Sequence, residues 1–354
     1  MSGRTFRGLI GVMVTGFAAG CGGTEGGGPA GESATAAFGG SDRRVYLVGF
    51  DASEPIVEAL KQGKIQGIVV QNPFRMGELG VKTLVQHLER KEVPPRISTG
   101  ETLVTPENLE DEAIIPLIHP PKAENIGGSL SGPKSKRWRV MVIPKGTTHE
   151  FWKTIHAGAL KAEQELGNVE VVWQGPQKED DRVLQIQLVQ SAVAAGVDGI
   201  VLAPLDARAL VQPVEMAVAR GIPVVIIDSG LESSKPVSYI ATDNYRGGVL
   251  AAQRLGALLG GEGKVILLRY AVGSESTEQR EKGFTDTMAK EFPRIRFLSE
   301  SEYAGPTSDT AQQKSQNLVT RYRGQVDGIF CPNETSTVGM LRALEGAGLL
   351  AGRL

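Results

Sequence analysis

Val197-Asp198-Gly199-Ile200-Val201-Leu202 opens a unit that returns later as Val326-Asp327-Gly328-Ile329-Phe330. In the first copy an apolar strand runs into a polar loop at 204–208 and a helix. A second strand, Val224-Val225-Ile226-Ile227, then ends in Asp228. The second copy has the strand, a loop at 332–336 and a helix expected over 337–347, but Leu354 is reached before its second strand. A stretch that fits the missing strand, Val45-Tyr46-Leu47-Val48-Gly49-Phe50, stands near the other end and also closes on an aspartate, Asp51. Short Val/Ile-rich runs of this kind read as strands buried on both faces of a parallel sheet. Read as a circle, the chain completes both units, which is the segment order of a circularly permuted, two-lobed α/β protein.

The rest of the chain follows the same alternation. Strands are expected at 139–144, 169–173, 237–242, 264–269 and 295–299, interleaved with helices at 150–166, 184–195, 247–259, 278–292 and 308–323. The N-terminal block reads as strand 45–50, helix 54–61, strand 67–71, helix 77–89 and an extended stretch over 96–105. Strands alternating with helices predict parallel sheets covered on both faces. The expected division is a first lobe at 137–241 and a second at 242–354. Block 43–118 should complete both, with 43–71 joining the second lobe and 72–105 the first. Residues 119–136, rich in Pro, Gly and Ser, read as the linker between blocks.

Bulk properties exclude several function classes. A length of 354 residues supports two lobes, and a formal net charge of −2 argues against a broad grip on nucleic acid. No apolar run reaches the roughly 20 residues that span a bilayer. The four histidines and two cysteines have no metal-ligand spacing, so neither a metal nor a cofactor is expected. Gly260-Gly261-Glu262-Gly263 lacks the Gly-Lys-Ser/Thr of a phosphate loop, and Ser229 has no evident histidine base, so no catalytic set emerges. Residues 1–21 read as an export signal: Arg4 and Arg7 precede an apolar stretch, and Ala18-Ala19-Gly20 stand directly before Cys21. That ending resembles a bacterial lipobox, which implies a lipidated Cys21, a flexible tether over 22–42, and a protein on the periplasmic or cell-surface side of a membrane.

In open parallel sheets ligands bind beyond the carboxyl ends of the strands. The candidate polar and aromatic residues there are His149, Glu150, Phe151 and Trp152, then Asp206 and Asp228 in one lobe; Arg280, Tyr303, Asn333, Glu334, Asp51 and Gln71 belong to the other. Carboxylates and amides satisfy pairs of hydroxyls, and an aromatic ring covers an apolar C–H face. The mixture suits a polyhydroxylated ligand.

These stretches resemble the ribose-binding type of periplasmic sugar-binding proteins, the ligand-capturing component of ABC importers. The likeness is carried by 140–158, 197–228, Ala241-Thr242-Asp243-Asn244-Tyr245-Arg246-Gly247-Gly248, Glu278-Gln279-Arg280-Glu281-Lys282-Gly283-Phe284, Pro332-Asn333-Glu334, Val48-Gly49-Phe50-Asp51 and Gln71-Asn72-Pro73. In that family the block matching 43–118 follows the segment ending near Leu349. The resemblance implies the type I periplasmic-binding-protein fold and a ligand set of His149, Phe151, Trp152, Asp228, Arg280, Asn333, Asp51 and Gln71. It also implies a sugar ligand, an ABC permease as partner and no enzymatic activity. His149 stands where asparagine is common and Ser229 where ribose binders often place arginine, which implies a ligand other than ribose. A sensor module that presents bound sugar to a receptor is the alternative. A regulator of the lactose-repressor type is disfavoured, because an export signal replaces the DNA-binding headpiece. The rotated order is compatible with a monomer or a domain-swapped dimer.

Overall fold

The computed structural model describes residues 44–126 and 137–350. Cys21, the expected signal and tether, and 127–136 of the expected linker lie outside the described residues. In chain order the N-terminal block comprises β1 (Tyr46–Phe50), α1 (Glu54–Lys61), β2 (Gly67–Val70), α2 (Pro73–Leu88), β3 (Arg96–Ser98), β4 (Thr102–Val104) and the short α3 (Ile115–Ile118). After a 3-10 turn at Ala123–Ile126 come β5 (Trp138–Ile143), α4 (Glu150–Leu166), β6 (Val169–Trp173), α5 (Arg182–Ala194), β7 (Gly199–Leu202), α6 (Val211–Ala219), β8 (Val224–Ile227) and β9 (Ser238–Ala241). Then follow α7 (Asn244–Leu258), β10 (Glu262–Leu267), α8 (Glu275–Glu291), β11 (Arg294–Ser299), α9 (Ser308–Arg321), β12 (Gly328–Phe330) and α10 (Glu334–Ala347).

Two six-stranded sheets result, ordered β3-β9-β8-β7-β5-β6 and β11-β10-β12-β1-β2-β4. The first is parallel throughout; in the second only β4 runs antiparallel, against β2. β1 lies between β12 and β2, with Leu47 opposite Ile329 and Gly49 opposite Ile68. The strand missing from the C-terminal repeat is therefore supplied by residues 46–50. The continuous apolar runs follow from burial on both sides: every residue of β2, β7, β8 and β12 is buried. Separate apolar cores line the two faces of each sheet.

Helix starts differ from the sequence expectation where capping chemistry intervenes. α2 begins at Pro73 instead of 77, because Asn72 accepts from Arg75 N at 3.0 Å and Pro73 needs no N–H in the first turn. α10 begins at 334 instead of 337, because Asn333 and Ser336 close a capping box inside what reads as a loop. α7 starts at Asn244 behind an Asp243 cap, and α8 starts at Glu275 instead of 278. The extended stretch expected over 96–105 is two strands in different sheets. Gly100, at φ 84°, lies between β3 and β4, so 102–104 join the second sheet and not the first.

In each lobe one helix pair meets at the backbone through a glycine on each helix. A Cβ on Gly77 would lie 1.9 Å from the Ile155 carbonyl, and one on Gly158 1.9 Å from that of Phe74, so α2 and α4 touch through reciprocal glycines. α7 and α8 repeat the device: Gly248 faces the Arg280 carbonyl and Gly283 that of Tyr245. Three connections between the sheets run side by side, at 71–72, 99–101 and 242–243. Thr99 N donates to Ala241 O at 3.0 Å, Thr242 Oγ1 to Gln71 Oε1 at 2.8 Å, and Asp243 N to Glu101 at 3.3 Å.

Candidate functional site

The carboxyl ends of both sheets face one pocket. Asp51, Gln71, His149, Phe151, Trp152, Asp228, Arg280 and Asn333, the eight residues selected from the sequence, all line it, together with Glu334. Glu150, Asp206 and Tyr303 do not; Asp206 instead caps the turn at 208–209 and pairs with Arg182 at 3.0 Å.

Asp228 follows β8 and its Oδ2 lies 3.0 Å from Lys145 Nζ, with both side chains only 4% exposed. The lysine also reaches across the cleft to Ser274 Oγ at 3.4 Å and Ser276 Oγ at 3.3 Å. Asp51 follows β1 in the other lobe. Its Oδ1 accepts from Gln71 Nε2 at 2.7 Å and its Oδ2 from Glu334 N at 2.9 Å. Burial raises the Asp51 pKa against the opposing charge of Arg280.

Arg280 is 2% exposed and held on three sides. Nε donates to Asn244 Oδ1 at 2.8 Å, Nη1 to Pro332 O at 2.9 Å and Nη2 to Gln71 Oε1 at 2.9 Å, while the guanidinium stacks 4.0 Å from the Phe50 ring centroid. A rigid fork of five donors can fill these partners and still present N–H groups to the pocket. Gln71 thereby joins the connection at Thr242, the carboxylate of Asp51 and the guanidinium of Arg280.

The aromatic pair is divided in role. Phe151 is half-buried and lines the pocket; Trp152 packs in the first-lobe core, at 4.9 Å and edge-on to Phe151. Asn333 lines the pocket, but its amide is engaged in the cap: Oδ1 accepts from Ser336 N at 3.2 Å and Nδ2 donates to Thr335 Oγ1 at 3.0 Å. Glu334, at the start of α10, is pushed up to about 7 by burial and by the charge of Asp51, with His149 opposing.

Sequence reasoning did not single out Lys145, Glu179, Tyr270, Ser274, Ser276 or Thr277, all of which line the pocket. Lys145 and Tyr270 stand two and three residues beyond β5 and β10, where the strand-end rule applied without a preference for residue type would have found them. Among the described residues no cluster of His, Cys, Asp and Glu could hold a metal, and no helix is long and apolar enough to cross a membrane.

Comparison with known proteins agrees with this geometry. A family model described as a periplasmic binding protein domain matches residues 14–92 and 140–354. A xylitol-binding protein of Mycolicibacterium smegmatis is 30% identical over 51% of this chain, which spans 51% of that protein's length. A ribose import binding protein of Haemophilus influenzae is 26% identical over 63% of this chain and 74% of its own. Among solved structures, a periplasmic component of an ABC-type sugar transport system from Hahella chejuensis shares 34% identity, at a TM-score of 0.57, over 59% of this chain and 76% of that one. A carbohydrate transporter solute binding protein from Agrobacterium radiobacter, in complex with D-arabinose, shares 32% identity at a TM-score of 0.57 over 60% and 72%. Two α/β lobes facing one polar pocket, and a family match over most of the sequence, place the chain in the periplasmic binding protein domain family.

Proposed function

We propose that the protein binds a monosaccharide or related polyol in the cleft between its lobes and delivers it to an ABC import permease. The observation that carries this reading is the convergence of Asp228 and Asp51, one from each lobe, on a single pocket beside Phe151. Each carboxylate can accept from a pair of ligand hydroxyls, Arg280 donates to ring or hydroxyl oxygens, and the Phe151 ring covers a C–H face. Charge favours an uncharged ligand over a sugar phosphate. Lys145 is paired with Asp228, Arg280 is opposed by Asp51, and Glu179 adds further negative charge to the lining. Relatives named for ribose and xylitol, and a structural neighbour bound to D-arabinose, support the same ligand class.

Thermal denaturation against D-ribose, D-arabinose, D-fucose and xylitol tests the reading. A ligand of the folded state adds RT ln(1 + [L]/Kd), about 2.7 kcal/mol at a hundredfold excess over Kd, which is a shift of several degrees. If no pentose, hexose or polyol raises the melting temperature, the sugar-binding reading fails. Export and lipidation at Cys21 belong to the same proposal. Cys21→Ser should release the protein from the membrane fraction; retention there would refute the anchor.

A further inference from the structure

The loop after β6 carries a carboxylate at the centre of the cleft. Glu179 Oε1 accepts from His149 Nδ1 at 2.6 Å and from Trp152 Nε1 at 2.8 Å; Oε2 accepts from the Tyr270 hydroxyl at 2.7 Å. His149 and Trp152 belong to the start of α4 in the first lobe, whereas Tyr270 follows β10 in the second. One side chain, itself 8% exposed, therefore joins two elements of its own lobe to the opposite lobe. An ionised carboxylate only accepts, so each of the three partners must donate. His149 carries its proton on Nδ1, and Nε2 is the ring nitrogen left for the cleft that His149 lines.

We propose that Glu179 is the positioning residue of the cleft: it fixes the His149 ring toward the ligand and, through the Tyr270 hydroxyl, ties that orientation to the docking of the two lobes. The proposal rests on the cleft being the ligand site. Buried charge-assisted hydrogen bonds are the strong ones, and losing a partner leaves a buried carboxylate unsatisfied. Separation of the lobes would remove Tyr270 from Oε2 and leave His149 and Trp152 in place, so the constellation is complete only when the lobes meet. The charges around the ring are Glu179 on its own side, with Glu334 at the start of α10 and Asp51 after β1 on the other. Burial opposes a charged His149, but Glu179, Glu334 and Asp51 together outweigh it and hold the ring protonated to higher pH than usual. Glu179 is itself held low by His149, Lys145 and Trp152 against its own burial. Nε2 therefore donates when the ring is charged and accepts when it is neutral. A ligand hydroxyl satisfies both states.

The test is a ¹⁵N-histidine titration of the ligand-free protein, with His149 assigned by signal loss in His149→Asn. The neutral ring should carry its proton on Nδ1, and the midpoint should lie above that of an ordinary histidine. Glu179→Gln should lower the proton affinity of His149 about tenfold or more. Tyr270→Phe, which keeps the buried ring, should raise it, because the hydroxyl no longer draws on the carboxylate charge. Affinity for whichever of D-ribose, D-arabinose, D-fucose or xylitol stabilises the parent should fall about tenfold in Glu179→Gln. A parent that binds no pentose, hexose or polyol would count against the cleft as a sugar site while the titration still decides the role of Glu179. A His149 titration unmoved by both substitutions overturns the proposal; if Glu179→Gln does not fold, Tyr270→Phe decides alone.

Discussion

Asp51 and Asp228 share a left-handed backbone conformation, φ 69° and 63°, and each is the first residue past a parallel strand. Their N–H groups extend the neighbouring ladders in the same way, to Val69 O at 2.9 Å and Ile240 O at 3.1 Å. Left-handed geometry costs most residues roughly 1–2 kcal/mol, and Asp and Asn least. The two lobes thus use one turn twice to aim a carboxylate into the cleft.

That turn decides which substitution tests the carboxylates cleanly. Asp228→Asn and Asp51→Asn keep a side chain that tolerates the left-handed conformation; Asp51→Asn should melt within a few degrees of the parent, and Asp228→Asn, which keeps an acceptor for Lys145 but not its counter-charge, should melt lower. Each should lose ligand affinity by about tenfold or more, because a charge-assisted acceptor is lost. Asp228→Ala should behave differently, since it also strands Lys145 in a buried site. Removing one partner of a buried pair costs about 3–5 kcal/mol. Calorimetric titration with the stabilising sugar, alongside melting curves of all three variants, separates the effects; full affinity in either Asn variant refutes the ligand role of that residue.

The strand-end aspartates were legible in sequence because an apolar run followed by Asp recurs, and the sheet geometry dictates where such a residue points. Glu179 was not. It lies six residues past β6 in the polar run Gln177-Lys178-Glu179-Asp180-Asp181, and only tertiary packing distinguishes it from Asp181, which caps α5. Lys145 escaped for another reason: a lysine is expected at the surface unless paired, and its partner Asp228 is 83 residues away in sequence. The early start of α10 was hidden because Asn333 and Ser336 read as loop residues until their reciprocal hydrogen bonds are seen.

Stability should fall as pH rises toward neutrality. Glu334 is pushed up to about 7, by burial and then by Asp51, and Glu281 to about 7, by burial against the opposing Tyr270 N–H and Arg269. Unfolded, both should titrate near 4.5. Between these values the native state binds more protons than the unfolded chain, so their contribution is full below about pH 4.5 and is lost as pH rises through about 7. Glu179 has the opposite sign, and its contribution is lost only as pH falls into the carboxylate range. Glu334→Gln and Glu281→Gln should each flatten the pH dependence and stabilise the protein at pH 8 by about 1–2 kcal/mol. Denaturant midpoints measured from pH 5 to 8 check this; an unchanged slope in both variants refutes it.

The reciprocal glycine contacts should be the least substitutable positions of the helices. Gly77→Ala, Gly158→Ala and Gly248→Ala each push a methyl to 1.9 Å from a carbonyl oxygen, and Gly283→Ala to 2.1 Å. Relief requires the helix pair to separate, a cost of about 1–3 kcal/mol or more. Gly346, in the last turn of α10, is the control: a Cβ there meets nothing within 4 Å. Gly346→Ala should stabilise by about 0.5–1 kcal/mol through the lower entropy of the unfolded chain. Melting curves that fail to separate the two groups would disprove the assigned contacts.

The segment order can be tested by joining the two ends of the chain. Val45 N donates to Leu349 O at 2.8 Å and Val45 bridges Leu350, so the start of the N-terminal block lies against the end of the C-terminal one. A rearranged chain that begins at 137, runs to 354, continues directly into 44 and ends at 118 should fold to the same two sheets. The core depends on contacts of β1 with β12 and β2, which the rearrangement makes more local on one side. The opened connection, 119–136, is described over 119–126, where the turn at Ala123–Ile126 packs on α4. Loop-closure entropy grows slowly with length, about 0.6 kcal/mol per doubling, so exchanging one closure for another should change stability little. Light scattering should report monomers for both chains. In a swapped dimer 44–118 would complete both sheets of a neighbour. A parent chain that is dimeric while the rearranged chain is monomeric would show that exchange and refute the monomer.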